Sequence, residues 1–223
     1  MTAEVLEHPA RAKILGNFGV GFNHIDIEAA KAAGLVVTNT PGVLTDATAD
    51  IALTLMLNAM RRTWEGETML RAGEWDGWRP TQLMGASPQG KTLGIVGMGR
   101  IGKAMAKRCH HALDMEVVFY DAFPVADAGV PAKQLETVDA VLEAADVVSL
   151  HCPGGGDNIH LIDAERLARM KPTAFIVNSA RGDIIDEAAL VEALKAGRIA
   201  GAGLDVYERE PSVTQALMSM KNV

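Results

Sequence analysis

The chain has 223 residues, 48% hydrophobic and 22% charged, enough for one large domain or for one domain with part of another. Its formal net charge of −7 argues against non-specific attraction to nucleic acid or anionic membrane, and favours a small ligand held by local positive groups. The two cysteines, Cys109 and Cys152, make no disulfide framework, and no Cys/His spacing suits a metal such as zinc.

A reducing cytoplasm fits that thiol content. Residues 1–10 lack the basic-then-apolar order of a signal peptide, and no apolar stretch approaches the ~20 residues of a spanning helix. A soluble cytoplasmic protein is expected.

Along the chain, apolar runs at 12–16 and 35–39 read as strands, with a helix over 26–33 between them. A helix over 46–61 follows, apolar round much of its circumference through Ile51, Leu53, Leu55, Met56, Leu57 and Met60. A core helix gives that pattern, and so does a helix packed between domains or subunits. Next comes "TWEGETMLRAGEWDGWRP", which carries all three tryptophans, Trp64, Trp75 and Trp78, and reads as irregular. Aromatic residues gathered on such a segment mark an interface, so region 62–90 is expected to make a homodimer contact.

Further strands are expected at 92–96, 116–120, 146–151, 173–178 and 199–206, and helices at 101–111, 138–145, 163–170 and 187–196. Asp163 and Asp186 are candidate N-caps, and Gly197 is a candidate stop for the last helix. Several strands are almost continuous in apolar residues, as parallel strands buried on both faces are. Their alternation with helices predicts an α/β fold with a doubly wound parallel sheet.

The sharpest local signal is "KTLGIVGMGRIGKAMAKRC". Gly97, Gly99 and Gly102 form G-x-G-x-x-G between a strand and an amphipathic helix, the spacing that binds a dinucleotide. The first glycine allows the tight turn, the second lets the backbone approach a pyrophosphate, and the third allows close helix–strand packing. Amides at the helix start, at Arg100 and Ile101, face the phosphate, and Arg100 adds a cation. The next strand ends at Asp121, nineteen residues after Gly102. A carboxylate there accepts hydrogen bonds from a ribose diol and repels a 2′-phosphate, which favours NAD over NADP.

Three later strand ends are polar: "SLHCP", "VNSARGD" and "GLDVYEREP". Arg181, in the second, interrupts an apolar run with a permanent charge. Alone it would mark a strand leaving for solvent. At the carboxyl edge of a dinucleotide-binding sheet, a guanidinium is suited to gripping a carboxylate at two points, and Arg181, Asp205 and Glu210 are expected to converge there.

With these motifs in order, the sequence resembles the D-isomer-specific 2-hydroxyacid dehydrogenases, and within them the bacterial glyoxylate/hydroxypyruvate reductases. The likeness runs almost end to end, through "NFGVGFNHIDIEAAKAAGLVVTNTPGVLTDATAD", "GKTLGIVGMGRIGKAMAKR", "VNSARGDIIDEAALVEAL" and "GAGLDVYEREP". It implies a Rossmann-like NAD-binding domain over 46–223, entered through an interdomain helix at 46–61, and part of a flavodoxin-like substrate domain over 1–45. It also implies a small 2-keto acid substrate, with Arg181 binding its carboxylate and carbonyl. Glu210 matches the acid that pairs with the catalytic histidine, and Asp205 the aspartate that binds the nicotinamide carboxamide. Val20 and Gly21 match a loop whose amides meet the substrate carboxylate. Thr48 and Ala180 match cofactor-contacting positions, and His151 and Pro153 match the H-x-P turn beside the adenosine.

Two departures from the family are visible. "PGGGDNIHLI" has three glycines where the family carries a threonine-rich turn. The family's catalytic histidine follows a segment like "MKNV", and none of His8, His24, His110, His111, His151 and His160 matches its place. The chain is therefore expected to be part of a longer enzyme, able to bind NAD but nearly inactive alone. The competing expectations are an NAD(H)-binding, corepressor-like protein of the same fold without turnover, and a relative acting on lactate or phosphoglycerate.

Overall fold

The computed structural model describes residues 1–7 and 11–223, so His8 lies outside the described residues. The chain separates into two compact units, Met1–Asp46 and Ala47–Val223.

The first unit holds α1 (Ala3–Leu6), β1 (Ile14–Gly16), α2 (Ile27–Ala32) and β2 (Val36–Thr38). The two strands pair in parallel, Ile14 opposite Val36, and both are shorter than the apolar runs that contain them because the ladder spans only three residue pairs. Asp26 caps α2 by accepting the Ala29 N–H at 2.9 Å. Leu6, Ala30 and Leu35 form a small core.

The second unit takes in all but the first two residues of α3 (Thr45–Arg61), whose Ala49, Ala52, Met56 and Met60 are buried while Ile51 is exposed. These four residues join the apolar core of the second unit. A Cβ on Gly203 would lie 2.8 Å from the Leu55 Cβ, so α3 rests on the sheet where a glycine makes room. The stretch expected to be irregular is in its first part helical, α4 (Thr63–Arg71). Ion pairs Arg62–Glu65 and Arg71–Glu67, at 2.7 Å each, brace that helix until Gly73 turns the chain away. Trp64 sits on α4 and Trp75 and Trp78 beyond it, and all three are exposed.

The sheet follows as β3 (Thr92–Val96), α5 (Arg100–Leu113), β4 (Glu116–Tyr120), β5 (Ala132–Gln134), α6 (Val138–Ala144), β6 (Val147–Leu150), α7 (Ala164–Arg169), β7 (Phe175–Asn178), α8 (Glu187–Lys195), β8 (Gly201–Leu204) and α9 (Gln215–Ser219). Its six strands lie in the order β5-β4-β3-β6-β7-β8, all parallel. This is the doubly wound dinucleotide-binding order, with its switch point between β3 and β6. β6 and β7 are buried along their whole length, and an apolar core covers each face of the sheet. Asp163 and Asp186 cap α7 and α8 through the amides of Arg166 and Ala189. Gly197, at φ +63°, ends α8. Among the described residues, no helix is long and apolar enough to cross a membrane, and no cluster of His, Cys, Asp and Glu could hold a metal ion.

Candidate cofactor and active site

The crevice starts where β3 ends. Gly97 has φ +95°, and a Cβ on it would come within 2.6 Å of the Cys152 amide nitrogen beyond β6. A side chain is thus excluded both by conformation and by space. Gly102 is equally confined, since its Cβ would meet the Gly97 carbonyl at 2.3 Å. A Cβ on Gly99 would meet nothing within 4 Å, so at that position the backbone faces open space. Gly99 is the N-cap of α5, and Arg100 and Ile101 form the first turn, Arg100 exposed and Ile101 half-buried. A tight turn, an uncovered glycine and a fourteen-residue helix aimed from it make a cradle of the shape and polarity a pyrophosphate needs.

Asp121, at the end of β4, closes the other side. Its Oδ2 accepts the Met98 N–H at 2.8 Å and its Oδ1 accepts the Phe123 N–H at 3.1 Å, which fixes the carboxylate beside the glycine turn. His151, at the end of β6, donates its backbone N–H to the Val96 carbonyl at 2.8 Å, and its Nε2 stands 2.9 Å from Ser149 Oγ. Burial drives the His151 pKa down to about 4, so the ring is neutral at physiological pH. Burial likewise pushes the Cys152 thiol up to about 11 and the Cys109 thiol up to about 12, which leaves both protonated. Pro153 is exposed, and its carbonyl accepts a hydrogen bond from Asn158 at 2.9 Å. Thr48 is half-buried on α3.

The "NSARGD" turn is folded by the buried Asn178. Its amide nitrogen donates to the Arg181 carbonyl at 2.8 Å, and its amide oxygen accepts the Ala180 N–H at 3.0 Å. Arg181 Nη1 donates to the Ala180 carbonyl at 2.6 Å. The neighbouring turns close in on this arginine. Gly154 packs on its stem, the Gly155 amide donates to Asp183 Oδ2 at 2.9 Å, and Gly182 abuts the Tyr207–Glu208 peptide. A Cβ on Gly182 would lie 2.0 Å from the Tyr207 carbonyl carbon.

The segment after β8 is tied to the same place by the Asp205 N–H, which donates to the Asn178 carbonyl at 3.0 Å. Glu210 Oε1 accepts the Tyr207 N–H at 2.9 Å, so that its carboxylate is held against its own loop. Burial, assisted by the nearby charge of Glu210, raises the pKa of Asp205. The structure therefore brings the turns bearing His151, Arg181, Asp205 and Glu210 to one edge of the sheet, alongside the glycine turn.

In the first unit, Asn17 Nδ2 donates to the carbonyls of Gly19 and Gly21 at 3.0 Å each, and Asn39 Nδ2 donates to that of Val20 at 2.8 Å. These asparagines fix the shape of the loop that carries Val20 and Gly21. Sequence reasoning missed the roles of Gly154, Asp183, Glu187 and Glu208. The three-glycine departure was the visible signal, and its first glycine, Gly154, falls against Arg181 and Asp183.

The profile of the family described as "D-isomer specific 2-hydroxyacid dehydrogenase, NAD binding domain" matches residues 53–223. The chain is 44% identical to the glyoxylate reductase of Thermococcus litoralis over 226 residues, which takes in 99% of this chain and 68% of that protein. It is 45% identical to the glyoxylate reductase of Thermofilum pendens, over 94% of this chain and 62% of that protein. The chain thus spans about two thirds of the length of the curated relatives it matches. Among solved structures, a glyoxylate reductase from Paecilomyes thermophila matches with a TM-score of 0.91 at 39% identity, over 99% of this chain and 66% of that one. The NADPH-dependent glyoxylate/hydroxypyruvate reductase of Sinorhizobium meliloti, in complex with NADP and malonate, matches with a TM-score of 0.87 at 40% identity, over 94% and 65%. With a family profile running from residue 53 to residue 223 and relatives above 40% identity along nearly all of its length, the chain belongs to the D-isomer specific 2-hydroxyacid dehydrogenase family.

Proposed function

We propose that the protein reduces a small 2-keto acid, glyoxylate or hydroxypyruvate, to the D-2-hydroxy acid. The observation that carries this reading is the packing of three strand-end turns around Arg181, directly across the switch point from a dinucleotide cradle. NAD(H), when bound, supplies the hydride. Gly97, Gly99 and Gly102 with the first amides of α5 hold its pyrophosphate, and Arg100 adds positive charge. Asp121 takes the ribose diol, His151 and Pro153 border the adenosine, Asp205 accepts from the carboxamide, and Thr48 and Ala180 complete the cofactor contacts.

Arg181 grips the substrate carboxylate and polarises the keto oxygen. Glu210 is the carboxylate that pairs with the proton donor, keeping that donor protonated near neutral pH. NADH is the preferred cofactor because the fixed Asp121 carboxylate repels a 2′-phosphate. The exposed Trp64, Trp75 and Trp78 support a homodimer contact, and the unpaired Cys109 and Cys152 support a reducing cytoplasm.

The test is a panel of glyoxylate, hydroxypyruvate, pyruvate and bulkier 2-keto acids with NADH and NADPH, on the full-length enzyme and its Arg181→Ala variant. Turnover of the small acids, lost in the variant, supports the reading. Cofactor binding without turnover of any 2-keto acid overturns it in favour of an NAD(H)-responsive binding protein.

A further inference from the structure

Glu187 is the first residue of α8, a position where an acidic side chain ordinarily lies in water against the helix dipole. Here it is only 8% exposed. It is not needed as a cap, because Asp186 already accepts the Ala189 N–H at 3.0 Å. Both its oxygens instead reach the loop after β8. Glu187 Oε2 accepts the Glu208 N–H at 3.0 Å, and Oε1 accepts the Thr214 N–H at 3.3 Å. The contact is returned, since the Glu187 N–H donates to Glu208 Oε2 at 3.4 Å. Glu208 Oε1 stands 3.2 Å from His160 Nε2, and the His160 N–H donates to the Asp183 carbonyl at 2.7 Å.

One buried carboxylate thus fastens both ends of the segment from Glu208 to Thr214, and Glu210 lies between the two fastenings. Placing a carboxylate out of water is costly unless its oxygens are satisfied, and here backbone amides from a single loop satisfy them. The other titratable and charged groups about this loop are Asp205, Tyr207, Glu208 and Arg209 on it, Arg181 and Asp183 beyond β7, and His160 beyond β6.

We propose that Glu187 is a positioning residue: by holding the backbone at Glu208 and Thr214 it sets where the Glu210 carboxylate stands. The proposal rests on the reading of Glu210 as the partner of the proton donor. It is tested in the full-length enzyme with Glu187→Ala, which removes both acceptors, Glu187→Gln, which keeps one oxygen, and Glu210→Gln as reference. The expected result is a kcat at least tenfold lower in Glu187→Ala and partly restored in Glu187→Gln, with the KM for NADH within twofold of wild type. The alkaline limb of the pH profile should also move to lower pH, in the direction Glu210→Gln moves it, because a donor without its carboxylate loses its proton earlier.

Folded Glu187 variants whose pH profile stays in place, or whose activity falls only as far as their folded fraction, overturn the proposal while Glu210→Gln still shifts the limb. A Glu210→Gln enzyme with an unmoved limb overturns the reading of Glu210, and the proposal with it.

Discussion

Gly154 lies directly against Arg181: a Cβ at position 154 would come within 2.7 Å of both the Cβ and the Cγ of the arginine, and within 2.4 Å of Asp183 Oδ1. The contact is to the rigid base of the side chain rather than to its flexible end, so an added methyl must push the guanidinium or the turn. Gly154→Ala should raise the KM for the 2-keto acid about tenfold or more, from an overpacking cost of ~1–3 kcal/mol, and leave the dissociation constant for NADH nearly unchanged. Steady-state kinetics beside a fluorescence titration of NADH checks this, and an unchanged KM would show that the turn simply gives way.

Arg181→Lys preserves the charge but not the planar fork. The lysine cannot make two parallel hydrogen bonds to a carboxylate, and the grip of Asn178 on the turn does nothing to replace them. The expected loss in kcat/KM is about a hundredfold or more, with cofactor affinity retained. Near-wild-type kcat/KM in the lysine variant would show that charge alone suffices.

Asp121 holds the glycine turn through the Met98 N–H, and in the proposed function it has a second task, presenting a negative charge to the ribose. Asp121→Asn separates them, because the amide oxygen still accepts a backbone hydrogen bond while the charge is gone. The ratio of NADPH to NADH dissociation constants should fall about tenfold or more, from removal of one like-charge repulsion of ~1.4 kcal/mol. An unaltered ratio would place cofactor discrimination elsewhere.

His151 makes stability depend on acidity. Its folded-state pKa is depressed to about 4 by burial, against an ordinary value of 6.5. Between those pH values the unfolded chain takes up a proton that the folded protein refuses. The contribution of this group is therefore present above about pH 6.5 and lost as pH falls toward 4, by up to about 3 kcal/mol. Urea unfolding of the full-length protein and of His151→Gln from pH 7.5 to 4 should show a steeper decline in the wild type. Parallel curves would mean that the ring gains a proton without cost.

Most of this fold was legible because parallel strands buried on both faces leave continuous apolar runs. β3 and β4 have the same bounds as the runs predicted at 92–96 and 116–120. The runs at 146–151 and 199–206 overshoot, since pairing stops at Leu150 and Leu204 and the chain then turns into the crevice. β5, the sequence "AKQ" at the sheet edge, carries no apolar run and gave no signal. α4 hid because none of its residues is buried, so no apolar face marks it in the sequence. At the site, Gly97, Gly102 and Asp121 announce themselves by spacing. Glu187 and Glu208 do not, because a side chain that satisfies a distant loop leaves no periodicity behind.

The strand order has a consequence for the chain as it leaves the ribosome. β3, β4 and β5 are complete once residue 134 has emerged, but the partner for the second edge of β3 is β6, with Val147 opposite Leu93, 54 positions further along the chain. In that interval "TLGIV", almost wholly buried in the finished fold, displays an unpaired hydrophobic edge of the kind that recruits other chains. A nascent chain stalled between residues 135 and 146 should therefore aggregate rather than persist as a three-stranded half, and the strand at the centre of the finished sheet is its most vulnerable edge during synthesis.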